Sequence, residues 1–210
     1  TAAVFRPQVG SNLLMIGQQD ESAMAIVLAS LVSLAAQHDP AENAPGHRGV
    51  KFHLLDGSAV DAPYAGILDK VANVLPHSFQ VAGPRDIAPV LSAIADEIER
   101  RQKSPGASGP AIYLFVYDLQ RFRDLRKTDD DFSFSRRSED KAPSPAKQFV
   151  TILKEGPNVR VHTIIWCDSL NNLNRTFERQ MIREFDMRVL FQMSPADSST
   201  LIDSPASGKL

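Results

Sequence analysis

The sequence predicts an α/β fold, a doubly wound and mostly parallel sheet with helices on both faces, and three observations carry this. Apolar runs of strand length alternate with longer amphipathic stretches, the pattern of strands linked by crossover helices. The run Ala111 to Tyr117 is apolar or aromatic throughout, as expected of a strand buried on both faces. A chain of 210 residues with 43 % hydrophobic and 23 % charged residues can build one substantial core.

In chain order, Asn12 to Ile16 reads as the first buried strand and ends at Gly17. Ser22 to Gln37 follows as a helix with apolar residues all round, expected to pack on more than one side. Asp39 to Gly49 is a loop, Val50 to Leu55 a strand closed by Asp56-Gly57, and Ala62 to Val74 a helix. Phe79 to Val81 is a short strand. Pro84-Arg85-Asp86 opens a helix to Lys103, with Ile87, Val90, Leu91, Ile94 and Ile98 at helical spacing. After the central strand, Thr128 to Ser144 is a polar loop rich in Asp, Arg and Ser that contains Arg136-Arg137. Pro145 to Lys154 is predicted helical, Val161 to Cys167 a strand, Asn174 to Phe185 a helix capped by Asn171, Asn172 or Asn174, Arg188 to Met193 a strand, and a short helix starts at Ala196. With no repeat and no interior boundary, residues 1–210 are expected to form one domain. The start at Thr1 and the end at Gly208-Lys209-Leu210, without a closing element, suggest a piece of a longer protein.

Composition narrows the function. No apolar run approaches the roughly 20 residues that cross a bilayer, so no membrane contact is expected of this segment. A net charge of −2 provides no general field for phosphate backbones. The single cysteine, Cys167, excludes an internal disulfide and suits a cytoplasmic location. Five scattered histidines show no metal spacing, and no metal site is expected.

The turn after the first strand has the context of a phosphate loop without its residues. In G-x-x-x-x-G-K-[ST], loop amides and a helix N-terminus cradle phosphates, lysine adds charge and Ser/Thr binds magnesium. Here Gly17 is followed by Gln18, Gln19, Asp20 and Glu21, then Ser22 in place of the second glycine, Ala23 in place of lysine and Met24 in place of the magnesium ligand. Asp20 and Glu21 also put carboxylates where phosphate would sit, each repelling it by about 1 to 4 kcal/mol at surface-like dielectric. An acidic helix cap is the simpler reading of that pair. Asp118, at the end of the central strand, suits a magnesium-binding aspartate or a turn cap. The next residue is Leu119 rather than a water-activating glutamate.

Several longer stretches resemble the FtsK/SpoIIIE family of the HerA-FtsK class of motor ATPases. Val161-His162-Thr163-Ile164-Ile165-Trp166-Cys167-Asp168 resembles its G-I-H-L-[IV]-L-A-T-Q strand. Arg188-Val189-Leu190-Phe191-Gln192-Met193-Ser194 and Asp197-Ser198-Ser199-Thr200-Leu201-Ile202-Asp203 resemble its R-I-A-F-Q-V-S and D-S-R-T-I-L-D. Phe52 to Asp56 resembles the strand ending in D-P-K, and Ile98-Glu99-Arg100-Arg101 the M-E-R-R helix. The departures all affect chemistry: Ser58 stands for the lysine of D-P-K, Leu119 for the glutamate, Cys167 and Asp168 for the sensor-like T-Q pair, and Pro157 for an arginine.

The resemblance implies a P-loop NTPase, RecA-like fold in a degenerate ATPase domain. Such a domain belongs to a DNA-translocase-like motor, is deficient in hydrolysis, and serves a structural, regulatory or substrate-docking role. Two alternatives stay open: an active ATP-dependent DNA translocase domain, and a peptide-binding pseudo-ATPase of a type VII-like secretion motor. No cofactor is expected here, or ATP and magnesium if the site still works. The expected partners are other ATPase domains of the same chain or ring, DNA, or a peptide. Arg121, Arg123, Arg126 and Lys127, interleaved with apolar residues after the central strand, are the candidate DNA or subunit contact, or else a solvated helical turn. Cys167 near His162 would suit a nucleophile and its base, but a buried core thiol is the simpler reading.

Overall fold

The computed structural model describes residues 3–40, 49–104, 109–127 and 143–209. Within them, six strands form one sheet: β1 (Leu13–Ile16), β2 (Val50–Asp56), β3 (Ser78–Ala82), β4 (Ala111–Tyr117), β5 (Val161–Cys167) and β6 (Met187–Leu190). The order is β3-β2-β4-β5-β1-β6 and every pairing is parallel. This is the predicted α/β class. The Asp39 to Gly49 loop falls largely, and the Thr128 to Ser144 loop with Arg136 and Arg137 almost wholly, outside the described residues.

Alternation along the strands divides the core in two. Leu13 and Met15 of β1, Phe52 and Leu54 of β2, Tyr113, Phe115 and Tyr117 of β4, and Trp166 of β5 pack against α1 (Asp20–Ala36) and α2 (Ile67–Val74). Leu14 and Ile16, Leu114 and Val116, and Ile165 and Cys167 face the other way. There they meet α3 (Ile87–Lys103), α4 (Pro145–Glu155), α5 (Leu170–Thr176) and α6 (Pro195–Ile202). Both faces of β4 and β5 are therefore covered, and every residue of these strands is buried.

Several sequence expectations change. Helix α1 begins at Asp20, two residues earlier than predicted, and buries one stripe (Ala23, Met24, Val27, Leu31, Leu34, Ala35) while Val32 stays 51 % exposed, so it packs on one side rather than on more than one. Helix α2 begins only at Ile67, after Gly66 in a left-handed conformation. The predicted helix Asn174 to Phe185 is split: α5 ends at Thr176, and a 3-10 segment follows over Arg179–Glu184. The cap of α5 is Ser169, whose hydroxyl accepts from the Asn172 amide at 3.3 Å, rather than an asparagine. Strand β6 stops at Leu190, and Ser194 with Pro195 opens α6.

Several residues within the resembling stretches turn out to hold these elements together. Arg188 donates to Phe185, Ile182 and Leu201 carbonyls at 2.8, 3.0 and 2.7 Å, tying β6 to the 3-10 segment and to α6. Arg101, almost fully buried, donates to Glu97, Val159 and Pro110. The His162 ring bonds the Ser11 carbonyl at 2.8 Å. Just ahead of β1, the buried Asn12 side chain donates to Leu153 and Glu184 carbonyls and accepts from the Thr163 amide.

Candidate nucleotide site

Parallel α/β sheets bind ligands beyond the carboxyl ends of their strands. The ends of β1, β4 and β5 bring Gly17, Asp118 and Asp168 to the same edge, with β5 between the other two. Only Gly17, Gln18 and Gln19 connect β1 to α1. A phosphate loop needs a longer segment whose amides curl round the anion, with lysine at the helix start. Here Ala23 and Met24 lie inside the helix, nearly without exposure, and the Ala23 amide is already bonded to the Gln19 carbonyl at 2.9 Å. Asp20 accepts from the Glu21 amide at 2.9 Å, so a carboxylate satisfies one free N–H of the first turn; Glu21 and Ser22 are exposed.

Aromatic side chains close the turn from below. The Trp166 indole N–H donates to the Gly17 carbonyl at 3.0 Å, and the Tyr117 hydroxyl donates to the Asp20 carbonyl at 3.3 Å. The two rings lie 4.7 Å apart. Gly17 itself donates to the Cys167 carbonyl at 3.1 Å. Its φ of 132° and the Phe191 Cβ, 2.7 Å from where a side chain would begin, demand glycine at this point. Trp166 and Tyr117 were not singled out by sequence reasoning. The available signal was size, since tryptophan stands where the family strand carries alanine.

Asp118 has the left-handed conformation, φ 66°, that aspartate tolerates better than most residues. Its carboxylate is held by the Gln120 amide and by Arg121 Nε at 3.2 Å. Burial pushes its pKa up to about 6 against the opposing pull of Arg121, and the nearby Asp168 and Asp56 carboxylates push the same way. Gln120 also accepts from the Asp168 amide at 3.3 Å, so one side chain bridges the ends of β4 and β5. Leu119 is fully buried in the core on the α3 side. Asp168 accepts from Ser169 and Asn172 side chains at 2.9 and 2.8 Å. Cys167 is fully buried, and desolvation pushes its thiol up to about 12, which makes it a poor nucleophile.

The cleft at this edge, about 250 Å³, is lined by Gly17, Gln18, Asp168, Ser169, Gln192 and Asp197 among others. Its charged lining residues are both carboxylates, which disfavours a triphosphate. Of the basic cluster, Arg121 is held by Asp118, Arg126 donates to the Gln120 carbonyl at 2.8 Å, and Lys127 pairs with Glu178 at 3.1 Å. Arg123 is exposed. The segment folds as two 3-10 turns, Leu119–Arg121 and Arg123–Leu125. Among the described residues, no three His, Cys, Asp or Glu side chains are placed to hold a metal ion, and no helix is long and apolar enough to cross a membrane.

No family model and no curated protein matches the sequence. Solved structures do. EssC (ATPases 2 and 3) from Geobacillus thermodenitrificans superposes with a TM-score of 0.63 at 11 % identity, covering 91 % of this chain and 34 % of that one. Thermomonospora curvata EccC (ATPases 2 and 3), solved with a signal sequence peptide, gives 0.62 at 17 %, covering 92 % and 33 %. The cytoplasmic domain of that organism's type VII secretion ATPase EccC gives 0.56 at 15 %, covering 96 % and 23 %. This chain thus spans about a third of the first two. At such identities the likeness establishes architecture: the chain shares the fold of the EssC and EccC ATPase domains.

Proposed function

We propose that this chain is an ATPase-type domain that does not hydrolyse ATP and that acts in the cytoplasm as one part of a larger, multi-domain secretion motor. Its role is to hold neighbouring ATPase domains in place or to dock a peptide substrate. The observation that carries the reading is the state of the nucleotide edge. Asp118 is engaged by Arg121 and Gln120, Leu119 is sealed in the core, and a three-residue turn pinned by Trp166 replaces the phosphate loop. The peptide role is supported by the EccC structure solved with a signal sequence peptide. It is favoured over DNA because three of the four basic residues after β4 are spent on contacts within the chain.

Calorimetric titration with ATP and magnesium tests the first part. No saturable heat is expected up to about millimolar nucleotide, whereas a micromolar Kd, about −8 kcal/mol of binding, refutes it. Pull-down of the full-length protein with secreted peptides and with duplex DNA tests the second, and retention of DNA alone refutes the peptide role.

A further inference from the structure

A second cleft, of about 420 Å³, lies at the opposite end of the sheet from Asp118, between the start of β2 and the last turns of α3. That volume falls in the range of small-molecule sites. Ile94 and Ile112 give it apolar walls, and its charged lining comprises Lys51, Arg100 and Arg101 against the single carboxylate Glu97. In a chain of net charge −2, this is a local concentration of positive charge. The α3 carbonyl terminus nearby adds the opposite sign, and Arg100, Arg101 and Lys103 in its last turn outweigh it.

The two arginines are arranged in advance. Arg101 is immobilised by carbonyls of Val159 and Pro110 at 2.9 Å each and by Glu97 at 2.7 Å. Glu97, thus fixed, grips Arg100 through Nε at 2.7 Å and Nη2 at 2.8 Å. That fork orients the guanidinium and leaves both Nη1 protons and one on Nη2 for another acceptor. His53 lines the same cleft with Nδ1 bonded to Gln80 Oε1 at 3.1 Å, which leaves Nε2 as an acceptor. Neither the nucleotide edge nor the role proposed above uses these groups.

We propose that this cleft binds a small hydroxylated organic anion, with Arg100 holding its acid group and His53 accepting from its hydroxyl. Holding a guanidinium in place before binding removes much of the ordering cost of an ionic contact.

The test is methyl NMR titration of the intact chain with citrate and with tricarballylate, its analogue lacking the hydroxyl, at constant ionic strength. Citrate is expected to shift the Ile94 and Ile112 methyls with saturation below about 10 mM and to bind about tenfold tighter than tricarballylate. Arg100→Gln should weaken citrate about tenfold while leaving the methyl spectrum of the free chain intact. Arg123→Gln, an exposed arginine elsewhere, should change nothing. His53→Ala should abolish the preference for citrate. The proposal is overturned if neither ligand shifts the two methyls by about 10 mM, if Arg100→Gln binds citrate as the parent does, or if the parent binds both ligands equally.

Discussion

Replacing Asp118 by asparagine should stabilise this protein at neutral pH. The carboxyl sits at the buried end of β4, and burial raises its pKa from 3.8 to about 6. The folded chain therefore keeps a proton that the unfolded chain releases between those two values. The stability from this group is complete below about pH 4 and is lost as pH rises through about 6. At about 1.4 kcal/mol for each tenfold change in proton concentration, the loss amounts to about 3 kcal/mol. Asparagine has the same shape and tolerates the left-handed backbone; its single Oδ1 can accept from Gln120 or from Arg121, which bond different oxygens of the carboxylate, and it removes the cost of the buried charge. The attraction to Arg121 is already contained in the shifted value, so only the one hydrogen bond that asparagine gives up is deducted, worth about 1 kcal/mol. The net expectation is about 2 kcal/mol of added stability at pH 7.5, or about 4 to 8 °C in Tm, and equal stability at pH 4. Urea denaturation of parent and variant from pH 4 to 7.5 measures the difference. Parallel stability profiles, or a less stable variant at pH 7.5, would show that Asp118 is not strained by its charge.

Restoring the missing glutamate by Leu119→Glu should cost at least about 4 kcal/mol without producing ATPase activity, because the new carboxylate would enter a fully buried apolar site; a stable, hydrolysing variant contradicts this. Trp166→Phe orphans the Gly17 carbonyl and should cost about 1 to 3 kcal/mol in urea denaturation with an unchanged m value. Glu97→Gln leaves the buried Arg101 guanidinium without its counter-ion and should cost about 2 kcal/mol. The Arg100 hydrogen bond holds the Glu97 pKa down at about 2, so its contribution is present above pH 4.5 and should fade as acid titration proceeds towards 2, with a flatter acid limb in the variant.

Strands β4 and β5 were legible because their apolar runs match the length of a strand buried on both faces, and β2 because its apolar residues are bounded by Gly49 and Asp56-Gly57; the predicted limits of all three agree with the structure to within a residue. The α5 region was not. Leu173, Phe177, Met181, Ile182 and Phe185 keep helical spacing across it and all are buried, but the chain breaks the helix at Phe177 and buries the remainder through a 3-10 segment. Periodicity reports which side chains go inside and not the backbone that takes them there. At the candidate site, Gly17, Asp118 and Asp168 could be placed from motif order alone. What engages them could not: Trp166 reaches Gly17 from a neighbouring strand, and Gln120 and Arg121 turn back on Asp118 from the 3-10 turn that follows it. Arg101, His162 and Arg188 lie in the stretches that resemble motor motifs, and each joins elements of the fold.

The three-residue link between β1 and α1 also sets how an ATP-binding loop could be built into this chain. Substitution alone leaves too little backbone. Unwinding Asp20 to Ala23 would supply it, but that shortens the helix by about 6 Å, withdraws Ala23 from the core and strips Tyr117 of its acceptor at Asp20. Inserting residues instead keeps the helix register and the core untouched. Such a loop thus calls for a change in chain length rather than an exchange of residues, and the short turn keeps this edge closed to point substitution.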